Sequence, residues 1–130
     1  MPRILATRGF DRWRKKASVS DAALRVAVAE MQRGLIDADL GGGLVKKRIP
    51  LPGRGKRGGA RTLLATNFAG RWIFLTGYAK NEQSDLSPGD LDLFRKVTKD
   101  LLVATEAWLS QAVAAGDLKE YDHVEETPKA

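Results

Sequence analysis

Residues 71–78, RWIFLTGY, carry aromatic and β-branched side chains on both of their alternating faces. Successive side chains of a strand point to opposite sides of a sheet, so this segment is buried on both sides. Such a strand belongs in the middle of a sheet, and the rest of the chain must supply neighbours for it. Arg61–Asn67 reads as an antiparallel neighbour, joined to it through a turn over Asn67–Gly70. Leu44–Leu51 reads as a further strand, and Arg3–Thr7 as a short one. Pro50 and Pro52 end the regular ladder of the former, because neither can donate a hydrogen bond.

Helical spacing fills the remainder. Phe10 and Trp13 mark a short helix, and Ser20 is a suitable N-cap for a second over residues 21–33. Leu24, Ala27, Val28, Met31 and Leu35 share a face of that second helix, with Gly34 at its C-terminal end. The pair is expected to form an antiparallel hairpin lying on the sheet. Ser87-Pro88-Gly89-Asp90 opens a last helix, with Ser87 as N-cap and Pro88 at the first helical position. Leu91, Phe94, Val97, Leu101, Ala104 and Trp108 carry it as one element to about Ala115. The expected fold is therefore α+β: a small antiparallel sheet, two N-terminal helices and a C-terminal helix. Residues 1–115 form one domain, and 116–130 an acidic, flexible tail.

Composition excludes much chemistry. The 130 residues contain no cysteine and a single histidine, His123, in the tail. Disulfides, thiolate catalysis, paired-histidine chemistry, a Ser-His-Asp triad and histidine- or thiolate-based zinc sites are all ruled out. Asp37-Ala38-Asp39 supplies too few ligands for a metal and reads as a loop. Gly41-Gly42-Gly43 lacks the Lys-Ser/Thr of a phosphate-binding loop. No metal or cofactor is expected. No apolar run is long enough to span a bilayer, and MPRILATRGF does not read as a secretory signal, so no membrane contact and a cytoplasmic location are expected.

Charge is distributed unevenly. Residues 1–80 carry a net +12 and residues 81–130 a net −6. The stretch Lys46–Arg61, KKRIPLPGRGKRGGAR, holds seven basic residues and no acidic one. A clustered basic surface points to a polyanionic partner, nucleic acid in particular. Alternation places Lys46 and Arg48 on one strand face and Val45, Lys47 and Ile49 on the other. Residues 53–59 read as a loop carrying Arg54, Lys56 and Arg57, and Lys80 follows the central strand. Lys46, Arg48, Arg61 and Lys80 are the candidate catalytic residues. Lys47, Arg54, Lys56, Arg57 and Asn81 are the candidate phosphate contacts.

With histidine and metal excluded, lysine and arginine remain for chemistry. On RNA, a 2′-hydroxyl can attack the adjacent phosphorus through a dianionic transition state. Arginine forks stabilise that charge, and a lysine held among other cations can act as general base. A surface that only binds phosphate is an equally good reading of spacing alone.

The segments KKRIPLPGRGKRGGAR and RWIFLTGYAKNEQSDLS, set between two N-terminal helices and a terminal helix, resemble the RelE/HigB family of toxins from bacterial toxin–antitoxin systems. The resemblance spans residues 2–105 and is most specific over 41–87. It implies a RelE-like α+β domain that cleaves mRNA on the ribosome and is held inactive by a cognate antitoxin, of helix-turn-helix type in this branch. It also implies that Lys46 and Arg48 match the family's basic strand pair, Arg61 its phosphate-stabilising arginine, and Lys80 the lysine closing the central strand. Ala60 stands where an aromatic residue precedes that arginine in the family. Asn81 and Ser87 stand where many members have arginine and tyrosine. The alternatives are a ParE-like inhibitor of DNA gyrase without nuclease activity, and a non-catalytic RNA-binding module.

Overall fold

The computed structural model describes residues 2–53, 55–79 and 87–121, the side chains of residues 55–58 excepted. Its centre is a strand over Arg71–Ala79, which is β5 in a chain that runs β1 (Arg3–Thr7), α1 (Arg8–Lys16), α2 (Asp21–Gln32), β2 (Ala38–Asp39), β3 (Leu44–Leu51), β4 (Gly55–Thr66), β5, α3 (Pro88–Val103), α4 (Glu106–Ala115) and β6 (Leu118–Glu120). The six strands form one sheet in the order β2-β3-β4-β5-β1-β6. All neighbours are antiparallel except β1 and β5. The α+β expectation holds, with β5 and β4 at the centre.

Helices cover both faces of the sheet, which is why β5 is apolar on both. Against α1 and α2 lie Val45, Ile49, Leu64, Trp72 and Phe74, packed with Phe10, Leu24, Val28 and Met31. The Phe10 and Phe74 rings stack with centroids 4.9 Å apart. Against α3 and α4 lie Leu5, Leu44, Leu63, Ala65, Ile73 and Leu75, packed with Leu101, Leu109 and Ala112. The helix starts follow from sequence chemistry: Thr7, Ser20, Ser87 and Thr105 each accept a hydrogen bond from a backbone N–H of the first turn.

Four expectations need correction. First, the terminal helix is two helices. Arg71, 8% exposed, donates to the carbonyls of Leu101, Leu102 and Ala104 and pairs with Glu106. It thereby satisfies the carbonyls at the end of α3, while Thr105 caps a fresh start for α4. Second, the acidic tail is structured as far as Tyr121. β6 pairs with β1, and Arg3 forms a forked pair with Glu120. Tyr121 is 1% exposed and donates its hydroxyl to Asp11. Third, Asp37-Ala38-Asp39 is more than a loop, since Ala38 and Asp39 pair with Lys46 and Val45. Fourth, β4 begins at Gly55, so the backbone of residues 55–59 belongs to a hairpin strand and not to a loop. Arg54, Lys80, Asn81 and His123 lie outside the described residues.

Candidate functional site

The site is built by register. Lys46 lies opposite Leu63, Arg48 opposite Arg61, and Arg61 opposite Tyr78. Leu63 packs on the α3–α4 side, so the two-residue period of β3 and β4 sends Lys46, Arg48 and Arg61 to that same side. Tyr78 joins them because of an irregularity. The β4–β5 register steps from Leu64↔Phe74 to Leu63↔Thr76, which inserts one extra residue in β5. Without that bulge, Tyr78 would share the face of Trp72 and Phe74, beneath α1. With it, Gly77 turns to the α1 side, where an added Cβ would lie 2.5 Å from the Trp13 ring. Tyr78 then turns to the arginine side.

The row Arg48–Arg61–Tyr78 has an unusual charge balance. Two guanidinium side chains occupy directly opposed positions, a cross-strand arrangement that repels in the absence of an anion. Arg61 Nη1 is buried and has no hydrogen-bond partner among the described residues. A guanidinium donor removed from water and left unpaired is costly, and an anionic oxygen would satisfy it. Arg48 is tethered on one side only: its Nε donates to Asp37 Oδ1 at 2.8 Å, and its backbone N–H to Asp37 Oδ2 at 2.7 Å. Partial burial pushes the Asp37 carboxyl up, but the hydrogen bonds and charge of Arg48 outweigh it and hold the group below the usual carboxylate range. Lys46 is half-buried and makes no ion pair among the described residues.

Lys47 belongs elsewhere. It is 3% exposed, with its ammonium 2.8 Å from Glu30 Oε1 and donating to Leu35 O at 2.8 Å. It fixes α2 against β3 and presents no charge to a ligand, which removes it from the phosphate contacts. Lys56 and Arg57 lie on β4 by their backbone, in continuation of the strand that holds Arg61.

Two residues of this site escape sequence reading. Tyr78 is hidden by the bulge, which reverses the parity of the strand. Asp37 belongs to no motif and lies 11 residues from Arg48; only the β2–β3 pairing brings it there. Its signal was membership of the one acidic pair, Asp37 and Asp39, near the basic run. Among the described residues no group of acidic or histidine side chains could hold a metal ion, and no helix is long and apolar enough to cross a membrane.

A model of the family described as RelE toxin of RelE / RelB toxin–antitoxin system matches residues 2–121. The chain belongs to the RelE toxin family. It is therefore the toxin of a toxin–antitoxin system, and its partner is an antitoxin. The matched span ends at the buried Tyr121, and so includes β6, which the resemblance had left outside.

Proposed function

We propose that this RelE-family toxin is a metal-independent endoribonuclease that cleaves mRNA on the ribosome. The observation carrying this reading is the buried, unpartnered Nη1 of Arg61 beside Arg48 and Tyr78. In the proposed reaction the 2′-oxygen attacks the adjacent phosphorus, its proton passes to a base, and the P–O5′ bond breaks to leave a 2′,3′-cyclic phosphate. Arg61 donates to a non-bridging phosphate oxygen as negative charge accumulates there. Arg48 presents its remaining N–H groups as a clamp, because Asp37 occupies only the Nε edge. Lys46 serves as base, and Lys80 assists the leaving oxygen. Tyr78, opposite Arg61 on β5 and only 7% exposed, backs the row from within the fold. Arg54, Lys56, Arg57 and Asn81 contact flanking phosphates. The antitoxin is of helix-turn-helix type and covers the basic row.

The test is cleavage of a defined mRNA on translating ribosomes, followed by primer extension. The wild-type protein is expected to cut, and Arg61→Ala to cut roughly 10²–10³ times more slowly, as for loss of one preorganised donor. Intact mRNA with the wild-type protein overturns the reading. Inhibition of gyrase supercoiling, or salt-sensitive RNA binding without cleavage, would then identify the alternatives.

A further inference from the structure

We propose that Asp37 is a positioning residue for the basic row, holding the Arg48 fork and the Lys46 backbone in the geometry that receives a phosphate. The inference rests on the reading of Arg48 as a phosphate contact. Asp37 reaches both residues by separate bonds. Its backbone N–H donates to Lys46 O at 2.9 Å, continuing the β2–β3 ladder by one residue. Its carboxylate accepts from the Arg48 backbone N–H and from Nε.

The choice of edge is the informative part. An acidic residue that merely neutralised Arg48 would gain most from a fork of two bonds to the guanidinium, as Glu120 makes to Arg3. Asp37 takes Nε and the backbone instead, so the long side chain is held while neither Nη group is hydrogen-bonded to it. An arginine fork held in advance loses less entropy on meeting a phosphate than a free one. Asp37 also sets a negative charge near a site for a polyanion, which by itself weakens ground-state binding. A positioning role and a purely electrostatic one therefore separate in measurement.

The experiment is a double-mutant cycle of Asp37→Asn and Asp37→Ala with Arg48→Ala, read by single-turnover mRNA cleavage on ribosomes. It is read in parallel by fluorescence anisotropy with a 2′-deoxy oligonucleotide that cannot be cleaved. Asp37→Asn is expected to lower the maximal rate about tenfold, with half-saturation unchanged or lower. In the Arg48→Ala background, Asp37→Ala is expected to have a much smaller effect on rate and affinity, because only the bond to the backbone N–H of residue 48 is then left to lose. Additive effects in both measurements, or a fall in rate that follows only the unfolded fraction, overturn the inference. If the wild-type protein fails to cleave, the proposed function falls, and the affinity cycle alone decides the role of Asp37.

Discussion

At the scale of single residues, Lys46, Lys47 and Arg48 are consecutive cations with unrelated environments. Pleating turns Lys47 toward α2 and its neighbours toward the opposite face. The Lys47 ammonium and the Glu30 carboxylate, at 4% and 16% side-chain exposure, form a pair whose halves depend on each other. Removing Lys47 takes a close ion-pair partner from the Glu30 carboxylate and a donor from the Leu35 carbonyl, at a cost of about 1–3 kcal/mol. Lys47→Ala is therefore expected to lower the denaturant midpoint markedly, and its cleavage rate per folded molecule to stay close to wild type. Arg61→Ala should show the reverse pattern, with stability retained or raised, since a buried unpaired donor is removed. Urea titration beside the ribosome assay separates these two kinds of cation.

At the scale of elements, the bulge in β5 is the decisive local feature. It lets one strand serve the α1 core through Gly77 and the basic row through Tyr78. The Trp13 ring packs directly against Gly77, so a methyl group there must displace the ring. Gly77→Ala is expected to destabilise the protein by about 1–3 kcal/mol through overpacking. Trp13→Leu should recover part of that loss if the clash is the cause, and equal loss in both backgrounds would refute it. The elbow between α3 and α4 has a similarly specific origin. Without Arg71 the last carbonyls of α3 would lose their partners.

At the scale of the whole molecule, ion pairs join distant parts of the chain. Arg3 links β1 to Glu106 of α4 and Glu120 of β6, and Asp11 of α1 holds Tyr121. Burial pushes the Asp11 carboxyl up, but bonds from Tyr121, Arg14 and Lys15 hold it below its usual range. Hydrogen bonds from Arg3 and Arg71 lower Glu106. Carboxyls lowered by folding stabilise the folded state above their unfolded values, near pH 4, and lose that contribution as pH falls through the folded values. Tyr121 has the opposite sign: burial first, and then its bond to Asp11, raise it, so its contribution is lost at high pH. Unfolding free energy from urea titrations should be level between about pH 5 and 9, and decline on both sides. A flat profile down to pH 2 would show that Asp11, Asp37 and Glu106 contribute nothing.

Local chemistry was legible without the fold. The caps Ser20 and Ser87, the helix periodicities, the doubly buried strand and the clustered cations all depend on neighbours within a few residues. The amino-acid sequence by itself thus determined the α+β class, the positions of most elements and the basic character of the site. Contacts distant in sequence were decided only by the tertiary structure. It assigned Lys47 to the core, brought Asp37 to Arg48, split the last helix at Ala104 over the Arg71 side chain and drew the acidic segment as far as Tyr121 into the sheet. The physical reason is parity and register. One extra residue in β5 exchanges the faces of every side chain beyond it, and no local pattern records which strand will stand opposite.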